Sequence, residues 1–392
     1  MERLLQKLQE MKEKGLYREL RYLETAQGPR TIMDGRDVLL LSSNNYLGLC
    51  SDERLKRAAI SAIEKYGVGS GGSRLITGSY DIHRELEKRL AHFKGTEACI
   101  VFNTGYMANL GTITSLADRN WVIFSDSLNH ASIIDGCRLS GAETVVYKHV
   151  DMDDLQRKVM KYNGRPGLIV TDGVFSMEGD IAPLPEIVAI ARRHGILTMV
   201  DDAHATGVLG PNGGGTSDYF RLKGDVDIQM GTLSKALASE GGYVAGKRCL
   251  IDYLRNRARS FIFSTALAPH TISVSLNALS IVMNEPEPRR SLLYNASWFQ
   301  TRLRSAGFNV KETRTPIIPV IIGEPDLTVQ FSRRLMEEGV HIPAIRPPTV
   351  PAGASRLRIT LMATHTREDM EFALQKICEV GQELGLVAKG ET

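Results

Sequence analysis

The sequence is short of the features that mark several whole classes of protein. Cysteine occurs only five times in 392 residues, at Cys50, Cys99, Cys137, Cys249 and Cys378, and never as a Cys-x-x-Cys pair. That odd, dispersed set argues against a disulfide frame or a zinc centre and fits reduced thiols in a cytosolic protein. No metal is expected. No apolar run approaches the ~20 residues needed to span a bilayer. The opening segment, Met1 to Tyr22, mixes acids and bases and has no apolar core flanked by a cleavage site, so it is not expected to be a signal peptide. An excess of one charge is missing too. The net charge of +3 leaves no general nucleic-acid footprint, so substrate phosphates would have to meet a local patch. There is no internal repeat and no low-complexity tract. What remains, 43% hydrophobic and 24% charged, is ordinary globular composition, and the length suits a large domain plus a smaller one.

Leu4, Leu5, Leu8 and Met11 recur at helical spacing and predict an amphipathic opening helix. Short strands around Thr31-Ile32-Met33 and Val38-Leu39-Leu40-Leu41 follow. From about Ser51 helical and strand patterns alternate. The strand-length runs are 98–102, 121–124, 144–147, 168–171, 197–200, 226–230 and 243–245. Several are apolar at consecutive positions, as strands buried on both faces should be, and helix-length segments separate most of them. This rhythm predicts a mostly parallel seven-stranded sheet covered by helices. A helix over 269–284 runs into Glu285-Pro286-Glu287-Pro288, taken as a domain boundary. Beyond it a helix from Ser291, strands over 317–322 and 357–361, and a closing helix over 367–384 predict a small α+β domain. The division is then 1–42 for the opening helix and short strands, 43–285 for the large domain and 286–392 for the small one.

Polar residues cluster just after the predicted strands, as in Asn103-Thr104-Gly105, Ser125-Asp126, Asp172-Gly173 and Asp201-Asp202. Ligands of open α/β sheets bind at such strand ends. Two of these ends carry a specific chemistry. Ile196-Leu197-Thr198-Met199-Val200 leads to Asp201-Asp202-Ala203-His204, and the next strand leads to Gly231-Thr232-Leu233-Ser234-Lys235. A lysine amine to condense with an aldehyde and a carboxylate to keep a pyridine nitrogen protonated are what pyridoxal phosphate requires. Strand alternation turns only one of Asp201 and Asp202 toward the ring. Gly105-Tyr106 opens a helix whose free N–H groups suit a phosphate. Gly67-Val68-Gly69-Ser70-Gly71-Gly72-Ser73-Arg74 follows a helix instead of a strand, which argues against a dinucleotide site and leaves a flexible loop near the substrate entrance. Arg356-Leu357-Arg358 alternates: with Leu357 inward, both arginines point the other way, Arg358 free to grip a carboxylate and Arg356 on a solvated strand face.

Val200 to Gly207 followed by Gly231 to Lys235 resembles the α-oxoamine synthases, pyridoxal-phosphate enzymes that condense an amino acid with an acyl thioester. The likeness runs from Ser43-Asn44-Asn45-Tyr46-Leu47-Gly48 to Arg356-Leu357-Arg358. It implies a fold-type I pyridoxal-phosphate transferase, cytoplasmic, working as a homodimer with shared active sites. By resemblance Lys235 carries the cofactor and acts as base, Asp201 holds the ring nitrogen, and His204 and Ser176 lie by the phenolic oxygen. His130 stacks over the ring and reaches substrate. Gly105, Tyr106 and Thr232 belong to the cofactor site, and Ser264 and Thr265 reach the phosphate from the other subunit. Arg358 takes the amino-acid carboxylate, and Arg18 and Thr349 match substrate contacts. Two stretches, Gly69-Ser70-Gly71-Gly72-Ser73-Arg74-Leu75 and 344–353, resemble the members that join L-alanine to a pimeloyl thioester, on CoA or a carrier protein, in biotin synthesis. The alternative within the family is glycine with acetyl-CoA.

Overall fold

The computed structural model describes residues 1–13 and 16–388. A hairpin of β1 (Arg30–Met33) and β2 (Arg36–Leu40) precedes the main sheet. That sheet comprises β3 (Ala98–Phe102), β4 (Val122–Asp126), β5 (Glu143–Tyr147), β6 (Gly167–Asp172), β7 (Leu197–Asp201), β8 (Ile228–Thr232) and β9 (Gly242–Gly246). Its order is β3-β9-β8-β7-β6-β4-β5. The pairs from β8 to β5 are parallel, and β9 runs antiparallel to both β8 and β3. β3, β4, β6, β8 and β9 are buried at every position, which is why their sequences are mostly apolar or small, broken by Gln229 and by the acids at the carboxyl ends of β4 and β6. β5, at the edge, exposes Val146. The seven expected strands and the mostly parallel sheet are all present.

The consecutive acids at the end of β7 show what alternation does. Asp201 faces one side. Asp202, fully buried, faces the other and meets Lys94 Nζ at 2.7 Å, with both side chains sealed from solvent. Thr216 Oγ1 donates to the second Asp202 oxygen at 2.6 Å. Such a pair gives little net stability, but removing one partner strands a buried charge at a cost of about 3–5 kcal/mol. Asp202 is therefore fully engaged away from Asp201.

A helix runs over Pro269–Asn284. The next begins at Glu287, inside the proline-bearing stretch and ahead of the Ser291 start read from the sequence. Pro288 lies in its first turn, where a missing N–H breaks no hydrogen bond. After it, β10 (Ile317–Gly323) pairs antiparallel with β13 (Ser355–Thr360), and β12 (Ala344–Ile345) pairs with β13's other edge. β11 (Val340–His341) pairs parallel with β2, tying the last hundred residues to the first forty. The opening helix, Glu2–Glu13, buries no residue, and its Leu4, Leu5, Leu8 and Met11 are exposed. Among the described residues no helix is long and apolar enough to cross a membrane.

Candidate active site

The carboxyl ends of β4, β6, β7 and β8 and the start of the helix Gly105–Leu116 enclose a cavity of about 270 Å³. Lys235, Asp201, His204, His130, Ser176, Thr232, Gly105 and Tyr106 all line it. So do Asp172, read from the sequence as a strand-end polar residue without a role of its own, and Asn109, Ser132 and Ser234, which were given no role.

At one end sits Asp201, 4% exposed. Its Oδ2 accepts from Asn109 Nδ2 at 2.7 Å and its Oδ1 from the Ala203 N–H at 2.8 Å. Asn109 also donates to Ser132 Oγ at 2.8 Å. Ser132 Oγ lies 2.8 Å from His130 Nδ1, and the Ser132 N–H points at the same nitrogen at 3.3 Å. A nitrogen facing a backbone N–H is an acceptor, so the proton of neutral His130 is on Nε2. The ring is open at the cavity mouth. Even so, desolvation by the walls pulls its pKa below the usual histidine value, helped by Lys235 and opposed by Asp201. The His130 N–H donates to Asp172 at 2.8 Å. Asp172 is pushed well above the carboxylate range by burial and by Asp201.

Lys235 begins a second chain. Its Nζ is 2.9 Å from His204 Nε2, and His204 Nδ1 is 2.6 Å from Tyr46 Oη. Tyr46 donates on to Asn44 Oδ1 at 3.3 Å, and Arg358 donates to the same oxygen at 3.2 Å. Burial, then the Lys235 and Arg358 charges, holds His204 well below its ordinary pKa, so it is neutral. The donors then run one way: Lys235 to Nε2, Nδ1–H to Tyr46, Tyr46 to Asn44. Lys235 itself is lowered to about 8, by burial and Arg358 against the pull of Asp201 and Asp172. That raises the uncharged fraction near neutral pH far above an ordinary lysine's, as an amine nucleophile or base needs.

Arg358 is 6% exposed and also donates to the Ser176 carbonyl. Its neighbour Arg356 corrects the sequence reading. It is not on a solvated face but 5% exposed, bonded to Glu178 Oε1 and the Met177 carbonyl, each at 3.1 Å. Alternation gave its direction correctly; the loop carrying Glu178 covers that face. The glycine-rich loop is anchored, with Ser70 Oγ donating to the Ala266 carbonyl at 2.7 Å and Arg74 paired with Glu87 at 2.9 Å. Five expected site residues do not line the cavity of a single chain: Arg358, which reaches its edge through Asn44 and Ser176, and four others. Arg18 and Thr349 are exposed, and Thr349 donates its N–H to the Arg346 carbonyl. Ser264 Oγ donates to the Ser260 carbonyl, and the Thr265 carbonyl accepts from Asn103 at 2.6 Å.

A family model described as aminotransferase class I and II matches residues 36–377. The chain belongs to that family, on its α-oxoamine synthase branch. It is 55% identical to the 8-amino-7-oxononanoate synthase of Lysinibacillus sphaericus, over 98% of this chain and 100% of that one. Among solved structures of this fold, serine palmitoyltransferase from S. paucimobilis bound to PLP and myriocin is 33% identical, with a TM-score of 0.93 and 98% of each chain covered. The 8-amino-7-oxononanoate synthase of Francisella tularensis is 30% identical, with a TM-score of 0.77, over 88% of this chain and 98% of that one.

The cavity suits the cofactor of this aminotransferase-family fold. A buried carboxylate faces in at one end, a lysine of lowered pKa stands beside it, and a helix N-terminus closes the other side. A Cβ at Gly105 would meet Met230 Cε at 3.1 Å and Thr232 at 3.6 Å, so glycine keeps the entrance to that helix clear.

Proposed function

We propose that the chain is a pyridoxal-phosphate-dependent acyltransferase, an 8-amino-7-oxononanoate synthase. It condenses L-alanine with a pimeloyl thioester and releases CO2 and free thiol, a step of biotin synthesis. The observation that carries this reading is full-length identity of 55% to a relative of that name, on a chain that brings Lys235, Asp201, His130 and His204 into one cavity. When bound, the cofactor holds the amino acid through its nitrogen and draws electrons from Cα into the protonated ring.

The protein's own residues do the rest. Lys235 would hold the cofactor through its amine and, with that amine free, would take the Cα proton of the amino acid. Asp201 keeps the ring nitrogen charged, with Asn109 fixing its orientation. His130 covers the ring and offers its Nε2–H to a substrate oxygen. His204 and Ser176 attend the phenolic oxygen. Gly105, Tyr106 and Thr232 serve the phosphate end, and Arg358 grips the amino-acid carboxylate. Arg18 and Thr349 are proposed to complete the thioester side. The division at residues 42 and 285 and a cytoplasmic location are offered on the same footing.

Specificity constants test the reaction. Alanine with pimeloyl-CoA should be favoured over glycine with acetyl-CoA. The contrast on the amino acid alone should stay modest, because one methyl in a pocket is worth about 1–3 kcal/mol. A preference for glycine with acetyl-CoA would overturn the choice of substrate and leave the cofactor site standing.

Ser264 and Thr265 are proposed to act in the cavity of a second copy. The surface next to them supports this, since Phe263, Val68, Leu75 and Ile76 are exposed by more than half. Mixing inactive Lys235→Ala with an inactive Thr265 variant should restore activity. Random hybrid dimers would carry one intact site each, roughly a quarter of the sites in all. A fully active monomer in sedimentation would refute the shared site.

A further inference from the structure

His149, just beyond β5, has a carboxylate on each ring nitrogen. Nδ1 lies 3.0 Å from Asp126 Oδ1, and Nε2 lies 3.0 Å from Asp180 Oδ2. A neutral imidazole has one N–H and could serve only one of them. The other carboxylate oxygens do not relieve the demand. Asp126 Oδ1 also accepts the Leu128 N–H, and Asp126 Oδ2 accepts the Val150 N–H. Lys311 meets Asp180 Oδ2 at 3.1 Å from the far side. Phe175 packs edge-on against the imidazole, with centroids 4.4 Å apart. The other titratable groups around the clamp are Tyr147 and Asp172 on the Asp126 side and Glu178, paired with Arg356, on the Asp180 side.

The two carboxylates belong to two segments of the active site. Asp126 opens the turn that ends in His130: its carbonyl accepts the Asn129 N–H, and Asn129 is bonded to Asp172. Asp180 closes the loop that begins at Val174, carries Ser176 and is pinned by the Val174–Ile181 bridge. We propose that His149, protonated on both ring nitrogens, is a positioning residue that clamps the His130 turn to the Ser176 loop and, through Asp180 and Lys311, to the segment leading into β10. Its influence on the reaction rests on the function proposed above; its charge state does not.

The electrostatics agree with the geometry. Burial opposes the charge on His149, but the hydrogen bonds to Asp126 and Asp180 outweigh it and raise the pKa to about 9. With the folded value raised above the ordinary one near 6.5, the clamp contributes its full stability below about pH 6.5 and loses it as the pH climbs through about 9.

The test uses the cofactor-loaded enzyme with nitrogen-15-labelled histidine, and His149→Gln assigns the signal. At pH 7.5 both His149 nitrogens should resonate as protonated and should titrate only near pH 9. His149→Gln should retain cofactor and lower kcat by about tenfold or more, with a smaller change in KM for alanine. Its melting temperature should approach that of the wild type above pH 9. His149→Arg should recover part of the loss. If His149→Gln does not fold, Asp180→Asn, which keeps the shape and removes one charge, should lower the titration midpoint of His149. A neutral imidazole at pH 7.5, or wild-type kcat in His149→Gln, would overturn the proposal. Kinetics run with whichever substrate pair the wild type prefers keep this result separate from the choice of substrate.

Discussion

Lys235→Ala should abolish turnover, with a loss on the order of 10⁴-fold or more, because one side chain is proposed to supply both the covalent hold on the cofactor and the base for the Cα proton. In the structure no second amine stands ready. Lys94 is sealed against Asp202 on the opposite side of β7, and among the described residues Lys235 is the one lysine lining the cavity. Borohydride should fix cofactor to the wild-type chain at Lys235, as read by peptide mapping, and should fix none to Lys235→Ala. The contact with His204 at 2.9 Å should go as well, leaving that ring held by Tyr46 alone. An adduct mapped to another lysine would sink the assignment.

Asp201→Asn should cost on the order of 10³-fold, in line with removing one preorganised charge from a water-poor site. The substitution keeps the size of the side chain and leaves an oxygen for Asn109 or the Ala203 N–H to donate to. Cofactor should therefore still bind. What is lost is the carboxylate proposed to favour a protonated ring nitrogen. The step to measure is exchange of the Cα proton of alanine with deuterated solvent, which precedes thioester and isolates the electron sink. Exchange at the wild-type rate in Asp201→Asn would remove the role from Asp201. Asp202 could not simply inherit it, since Lys94 and Thr216 hold it on the far face.

Much of this was legible in the sequence because it follows from local rules. Strands buried on both faces are apolar over most of their length, so the central strands announced themselves; β5, at the edge, showed instead as a β-branched run between turns. Alternation said that Asp201 and Asp202 face opposite ways, and Lys94 decides which way each faces. The unread parts depend on convergence across the chain. Asn109 and Ser132 look like ordinary helix residues until folding places them between Asp201 and His130. Tyr46 and Asn44 stand in the stretch noted for its resemblance, yet only the structure puts their side chains between His204 and Arg358. Arg356 was misread because Glu178 arrives from a distant loop. The direction of β9 could have been found: nine residues, 233–241, separate β8 from β9, too few for a parallel crossover. β11 and β12, two residues each, carry no period to detect.

The place of β3 in the sheet also bears on how the molecule is made. β3 is an edge strand whose one partner is β9, Ala98 lying opposite Gly246. At about 5–20 residues per second, a ribosome delivers that partner on the order of ten seconds later. Through that interval an all-apolar segment, Ala98-Cys99-Ile100-Val101-Phe102, has emerged with both its edges unpaired. The helix that follows it, Gly105–Leu116, whose start lines the cavity, has no finished strand to lean on. The nascent chain thus cannot hold its cofactor until most of the large domain has left the ribosome, and an all-apolar strand of the main sheet is the first of that sheet to emerge and waits for the last to pair.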